Sequence, residues 1–175
     1  MHNAAYIAMG TNMPFRTMMG IVLLQQAVRE IRCAGIEPHQ FSSVWRTEPW
    51  PRGADQPDYF NAVIAADAGE LAPQELFARL QVVERAFGRE RRERWGARTL
   101  DLDIISMDGF QGEFGELVLP HPRMHERVFV LAPLAEVAPG WRHPELGLTA
   151  AEMLAGVEKG ARYRKEGALV ETGQG

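Results

Sequence analysis

Residues 94–104 read RWGARTLDLDI, an arginine-rich segment that leads directly into a short alternating stretch. Side chains of a β-strand alternate between its two faces, so the leucines and the isoleucine of this stretch are predicted to enter a core. Asp101 and Asp103 then share the opposite face, about 7 Å apart along the strand. Two carboxylates at that spacing can bind Mg²⁺, which takes oxygen ligands. On spacing alone, a polar strand face exposed to solvent fits the pattern better.

A run of arginines precedes this strand. Its members closest to the aspartates are Arg89, Arg91, Arg92, Arg94 and Arg98. A guanidinium group stays charged and offers a planar fork of N–H donors that matches pairs of phosphate oxygens. An exposed charged loop is the usual meaning of such a run. Beside two aspartates, however, the arginines favour a site for a metal-bound polyphosphate.

Composition limits the classes of protein that remain. The chain has 175 residues, 46% of them hydrophobic, which suits one core better than two domains. Its formal charge of −4 gives no basic field for a nucleic-acid backbone, so we expect no nucleic-acid partner. Neither a basic leader with a long apolar segment nor a membrane span is evident, so we expect a cytoplasmic protein that contacts no membrane. A monomer is the default expectation.

The single cysteine, Cys33, excludes an internal disulfide. It falls within a helical pattern, and we expect a buried, unreactive thiol. That expectation agrees with a reducing compartment.

Hydrophobic periodicity predicts alternating strands and helices. Strands are expected at residues 5–9, 40–47, 59–66 and 100–104, and helices at 17–34, 73–87 and 149–155, with a helical turn after Pro122. Residues 48–58 contain three prolines and a glycine and are predicted to form a long loop. Residues 158–175 are polar and patternless, so we place the domain at 1–157 and expect a poorly ordered tail after it.

Several other residues are candidates for ligand contact. His121 follows a predicted strand, where its imidazole could donate to a phosphate, although an ordinary surface histidine fits equally well. Zinc binding by His121 and His125 is disfavoured because no third ligand is evident. Aromatic residues near polar loops could stack on a flat heterocycle, although aromatic residues more often belong to a core. Asn61, on the same strand face as Tyr59, adds an amide that can both donate and accept toward a ring edge.

Five ordered blocks of the sequence carry a family resemblance. They are YIAMGTN (6–12), RTEP (46–49), DQPDYFNAV (55–63), GRERRERWGARTLDLDI (88–104) and LPHPRMHERVFVLAPL (119–134). Together they resemble the 6-hydroxymethyl-7,8-dihydropterin pyrophosphokinases of folate biosynthesis, over residues 5 to about 139. The resemblance implies a single α+β domain, a ferredoxin-like α/β sandwich with a mostly antiparallel sheet. It also implies transfer of the terminal diphosphate of ATP to the hydroxymethyl group of the dihydropterin, with release of AMP.

The resemblance also assigns residues to roles. Asp101 and Asp103 match a pair that binds two Mg²⁺ ions, and Arg89 and Arg98 match arginines that act on the transferred phosphates. The positions on the nucleotide side are Glu84, Arg91, Arg94, Ile104, His121 and Arg127. The positions on the pterin side are Thr47, Glu48, Trp50, Tyr59, Asn61, Trp95 and Phe129.

Loop behaviour and two alternatives complete these expectations. Residues 48–58 and 89–97 are expected to close over ATP and then the pterin. Residues 13–15 (MPF) and Ala97 depart from the usual family pattern, which we expect to affect loop stiffness more than chemistry. A metal-dependent nucleotidyl transferase would use similar residues but release pyrophosphate. A sensor without catalytic activity would keep the pocket alone.

Overall fold

The computed structural model describes residues 3–88 and 99–170 of the chain. In these ranges the strands are β1 (Ala4–Thr11), β2 (Glu37–Phe41), β3 (Ser43–Thr47), β4 (Tyr59–Asp67), β5 (Asp101–Met107), β6 (Gly112–Phe114), β7 (Leu117–Leu119) and β8 (Tyr163–Ala168). The α-helices are α1 (Gly20–Cys33), α2 (Pro73–Ala86), α3 (Val128–Val137) and α4 (Ala150–Val157). A short 3-10 helix, Met124–Glu126, precedes α3.

The main sheet has the strand order β5-β1-β4-β3-β8, with β2 also paired to β4. Every pairing in it is antiparallel. Taken in chain order, β1, α1, β3, β4, α2 and β5 form the ferredoxin-like βαββαβ unit. The α+β class and the single domain predicted above are therefore confirmed. Strands β6 and β7 form a separate two-stranded sheet.

Apolar layers cover both faces of the main sheet. On one face, Leu24 of α1 and Leu80 of α2 join Leu102 and Ile104 of β5 in one buried cluster. On the other face, Leu131 of α3 and Met153 of α4 join Val63 of β4 in a second cluster. The predicted alternation of the 99–104 stretch is confirmed, because Leu100, Leu102 and Ile104 are buried while Asp103 is exposed. The aspartates consequently face the side of α3 and α4.

The expected disordered tail is wrong for residues 163–168, which form β8 along the edge of the sheet next to β3. The polar sequence YRKEGA gives no alternating apolar pattern, because both faces of this edge strand are largely exposed to solvent. Main-chain pairing with β3 holds the strand, and main-chain hydrogen bonds leave no trace in composition.

Three local expectations also need correction. The predicted strand 40–47 is two strands that pair with successive parts of β4, separated at the buried residue Ser42, whose Oγ accepts the N–H of Val63 at 2.9 Å. The first helix begins at Gly20, because residues 15–18 form a turn closed by two main-chain hydrogen bonds. Cys33 is exposed, not buried. No helix in the described part of the chain is both long and apolar enough to cross a membrane.

Candidate active site

Polar side chains meet at one end of the sheet, where β1 and β3 end and β4 and β5 begin. Gly10 of β1 lies opposite Asn61 of β4 on one side and opposite Asp101 of β5 on the other. Residues directly opposite each other in a sheet project from the same face. Asp103, opposite Ala8, projects from that face as well. The strands therefore bring together the carboxylate pair and Asn61, which lie far apart in sequence.

Asn61 is buried and held by its neighbour. Its side chain is only 5% exposed, and Nδ2 donates to Oγ1 of Thr47 at 2.7 Å. Gly10 makes room for it, because a Cβ atom at position 10 would come 2.6 Å from Oδ1 of Asn61. A fixed amide of this kind is suited to recognising the polar edge of a ring.

A cleft of about 510 Å³ opens between the end of β3, the loop that follows it and the helical layer of α3 and α4. Its lining residues are Thr47, Glu48, Trp50, Arg52, Glu126, Val128, Phe129, Val157, Ala161 and Arg162. Four of the predicted pterin-side residues, Thr47, Glu48, Trp50 and Phe129, thus line one cavity. The guanidinium of Arg127 lies 5.5 Å from the ring centre of Phe129, a cation–π contact at the start of α3.

A second cleft, of about 490 Å³, opens beside β5 between α2 and β7. Its lining residues are Phe77, Gln81, Glu84, Arg85, Leu102, Asp103, Glu116, Leu117, Val118, His121 and Pro122. Two predicted nucleotide-side residues, Glu84 and His121, line this cavity together with Asp103. The α2 residues recur at steps of four, three and one, so helical spacing from Glu84 could have identified Phe77 and Gln81.

His121 is neutral in the folded protein. Burial, together with the positive charges of Arg127 and Arg123, lowers the pKa of His121 to about 4. Its Nδ1 accepts the main-chain N–H of Arg123 at 3.2 Å, so the single proton of the neutral ring lies on Nε2. His121 therefore brings an N–H donor to the second cleft without bringing a charge.

Arg127 lies within the electric field of both aspartates. Burial lowers the pKa of its guanidinium, while the negative charges of Asp103 and Asp101 raise it in compensation. Among the residues described, no hydrogen-bond partner is present for the buried Nε of Arg127. A partly buried cation whose buried Nε can still donate, beside two carboxylates, is suited to a ligand that carries negative oxygen atoms.

The carboxylate pair fits Mg²⁺ held jointly by protein and substrate. Across residues 3–88 and 99–170, no cluster of three or more histidine, cysteine or acidic side chains has metal-binding geometry. Mg²⁺ commonly takes one or two carboxylates and fills its other positions with substrate phosphates and water. Asp101 and Asp103 supply that number of ligands, so the residues present fit the ion.

Some predicted residues lie elsewhere. Arg89, Arg91, Arg94, Trp95 and Arg98 fall outside the described residues, as does the whole of the predicted 89–97 loop. Ile104 belongs to the core on the opposite face, so its side chain is not available to a nucleotide and only its main chain could make contact. Tyr59 lies two residues before Asn61 on the same face and pairs with Thr47, close to the first cleft.

The fold and the site together define a class of enzyme. Asp103 lines the second cleft together with His121, and Arg127, which lies in the field of both aspartates, contacts Phe129 in the wall of the first cleft. This is the arrangement of an ATP-dependent phosphotransferase that brings a nucleotide and a second substrate together. Comparison with known proteins gives the particular family.

The sequence model of the family described as 7,8-dihydro-6-hydroxymethylpterin-pyrophosphokinase (HPPK) matches residues 6–139. The chain belongs to this family. It is 43% identical over 136 residues to the 2-amino-4-hydroxy-6-hydroxymethyldihydropteridine pyrophosphokinase of Synechocystis sp., covering 77% of this chain and 68% of that protein. The enzyme of the same name from Pseudomonas aeruginosa is 38% identical over 153 residues, covering 86% and 89% respectively.

Solved structures agree on the fold. The crystal structure of Plasmodium falciparum HPPK-DHPS with pteroate superposes with a TM-score of 0.70 at 11% identity, covering 89% of this chain. The chain spans 44% of that longer protein. At this identity the likeness supports the fold alone.

Proposed function

We propose that the protein transfers the terminal diphosphate of ATP to the hydroxymethyl group of 6-hydroxymethyl-7,8-dihydropterin and releases AMP, a step of folate biosynthesis. The observation that carries this proposal is the second cleft, in which Asp103 lies with Glu84 and His121, together with the first cleft lined by Thr47, Trp50 and Phe129. The names of the relatives agree with it. We assign the first cleft to the pterin and the second to ATP.

Binding of the pterin relies on shape and on one polar edge. Asn61, fixed by Thr47, presents its amide to the polar edge of the ring system. Phe129 and Tyr59 supply flat apolar surfaces that can stack on the ring faces. Glu48 and Trp50 complete the wall on the side of the loop. Such a cleft orients the hydroxymethyl oxygen toward the aspartates, and orientation of this kind removes much of the entropic barrier.

Transfer requires charge neutralisation around the phosphate chain. Attack of the hydroxymethyl oxygen on the β-phosphorus forms the new P–O bond and breaks the bond to the oxygen that bridges the α- and β-phosphorus. That oxygen leaves with AMP, and the hydroxyl proton is released to water. Negative charge is then spread over the phosphate oxygens and the leaving group. Arg127 and the Nε2–H of His121 can donate to these oxygens from the described part of the site. We assign the same role to Arg89, Arg91, Arg94 and Arg98, and a closing role to Trp95.

We assign Asp101 and Asp103 to two Mg²⁺ ions that bind with ATP. When bound, such ions neutralise phosphate charge and can clamp attacking and leaving oxygens together. We also propose that the protein is cytoplasmic and works as a monomer.

Chromatography of the reaction products tests the proposal. The protein is incubated with ATP, Mg²⁺ and the dihydropterin, and AMP, ADP and pyrophosphate are resolved. AMP formed only when the pterin is present supports diphosphate transfer. Pyrophosphate release would replace the proposal with a nucleotidyl transferase, and tight ligand binding without product would replace it with a sensor.

A further inference from the structure

The first cleft is built partly by a segment that lies beyond the residues matched by the family model, which end at 139. Val157, Ala161 and Arg162 line it from the end of α4 and the approach to β8. The residues facing them come from β3 and from the loop 48–58 that follows it. The C-terminal segment therefore forms a wall of the cleft and also borders the loop opposite.

Main-chain and side-chain hydrogen bonds connect this segment to the start of the loop. The N–H of Glu48 donates to the carbonyl of Arg162 at 3.1 Å, and the N–H of Arg162 donates to Oε1 of Glu48 at 3.1 Å. Glu48 and Arg162 are thus joined in both directions. Arg52, four residues along the loop, contacts the same Oε1 of Glu48 at 3.2 Å and donates to the carbonyl of Lys159 at 3.4 Å.

A second connection holds the end of the loop. Nη2 of Arg162 donates to Oδ1 of Asp58 at 2.8 Å, and Nε of Arg46 contacts Oδ2 of the same carboxylate at 3.3 Å. The Asp58 side chain is 23% exposed and that of Arg162 is 72% exposed, so solvent screens this pair in part. Arg162 therefore contacts both ends of the 48–58 loop, at Glu48 with its main chain and at Asp58 with its side chain.

We propose that Arg162 is a positioning residue that docks the 48–58 loop on the C-terminal segment and thereby sets the affinity of the first cleft for its ligand. The identity of that ligand as the dihydropterin rests on the proposed function. A docked loop holds Glu48 and Trp50 at the cleft before the ligand arrives, which reduces the entropy lost on binding. An undocked loop must be ordered at the moment of binding. The apparent affinity for the ligand then falls in proportion to the fraction of molecules in which the loop is docked.

Charge reversal tests the docking, with a matched control two residues further along the chain. Arg162→Glu puts a carboxylate beside Asp58 and Glu48 and replaces attraction by repulsion. Arg164→Glu is the control, because Arg164 is similarly exposed (67% against 72%) but its ion pair is with Glu166 within β8. Arg162→Lys keeps the charge and should restore most of the affinity.

We expect Arg162→Glu to raise the KM for the dihydropterin about threefold to tenfold. The kcat and the KM for ATP should stay within about twofold of wild type, because the reacting groups are untouched. Amide hydrogen exchange of residues 48–58 should be faster in this variant and unchanged in Arg164→Glu, since exchange reports local opening. Thermal unfolding of each variant checks that the fold is retained.

Two results would overturn the docking proposal: unchanged exchange of residues 48–58 in a folded Arg162→Glu variant, or equal effects of Arg162→Glu and Arg164→Glu on the pterin KM. Absence of AMP from the wild-type reaction would overturn the proposed function instead. The exchange measurement needs no substrate, so the two failures are distinguishable.

Discussion

Gly10 and Asn61 lie directly opposite each other in the antiparallel pair of β1 and β4, and the missing side chain of one makes room for the other. A Cβ atom at position 10 would come 2.6 Å from Oδ1 of Asn61, well inside van der Waals contact. The backbone of Gly10 does not require a glycine conformation, since its φ lies outside the left-handed region. The glycine is needed only for the space that it leaves to the Asn61 amide.

Gly10→Ala should therefore displace the Asn61 side chain. Overpacking of this kind costs about 1–3 kcal/mol in the free energy of unfolding. We expect kcat/KM for the dihydropterin to fall about tenfold or more, because the buried amide would no longer pair with the ring edge. Steady-state kinetics and urea unfolding check both effects. Gly156→Ala is the control, since no atom lies within 4 Å of the added Cβ; a similar loss of activity there would contradict the explanation.

The carboxylate assignment predicts a large loss of activity without loss of the fold. Asp103→Ala should lower the rate of AMP formation by at least about a hundredfold, because the negative ligand of a phosphate-bound metal ion is removed. Asp108→Ala is the control, since Asp108 is exposed in the turn after β5 and far along the strand from the site. AMP formation is measured over a range of Mg²⁺ concentrations. Wild-type activity in Asp103→Ala would remove the metal assignment.

Local periodicity was sufficient to predict the parts of the site that lie on single strands. The alternation at 99–104 assigns Asp101 and Asp103 to one face of β5, and the two-residue step from Tyr59 to Asn61 assigns those two residues to one face of β4. The helical period also explains the exposure of Cys33, which we expected to be buried. Cys33 follows the buried Ile31 by two positions, about 200° around the helix, so the helical period itself indicates exposure.

Relationships between distant strands could not be predicted in this way. Nothing in the composition of residues 163–168 indicates that they pair with β3. Nor does it indicate that the segment leading into them lines the first cleft. The break at Ser42 is similar, because it depends on an acceptor for the N–H of Val63, 21 residues away in the sequence. β8 is stabilised by main-chain hydrogen bonds, and Ser42 by its side-chain Oγ together with its own N–H, which donates to the carbonyl of Val63 at 3.0 Å; such long-range partners leave no local sequence pattern.

The lowered pKa of His121 predicts a dependence of stability on pH. The folded-state pKa of about 4 lies below the ordinary value of 6.5, so between these values the unfolded chain binds the proton more readily. The contribution of His121 to the free energy of unfolding is fully present above pH 6.5 and decreases as the pH falls toward 4. The slope is at most about 1.4 kcal/mol per pH unit.

Urea unfolding of wild type and His121→Gln at pH 7, 5.5 and 4.5 measures this contribution. The difference in free energy of unfolding between the two proteins should shift in favour of His121→Gln as the pH falls, because glutamine does not titrate. A difference that is constant across the three pH values would show that the imidazole is not buried in its neutral form.

Arg127 offers a test of the Mg²⁺ site that does not depend on turnover. Its guanidinium supplies positive charge to Asp101 and Asp103, so Arg127→Met leaves the two carboxylates with less compensation. Mg²⁺ binds the folded state and stabilises it by mass action, and the gain is larger where the site is more negative. We expect the Mg²⁺-dependent rise in Tm to be larger in Arg127→Met than in wild type.

Adding Asp103→Asn to Arg127→Met should remove most of that rise, because the substitution eliminates one of the two negative ligands. Arg142→Met removes a remote arginine that pairs with Glu152 and should respond to Mg²⁺ as wild type does. Equal rises in Tm in all four proteins would mean that Mg²⁺ binds elsewhere. The carboxylate pair could then act on the phosphate chain only through Arg127.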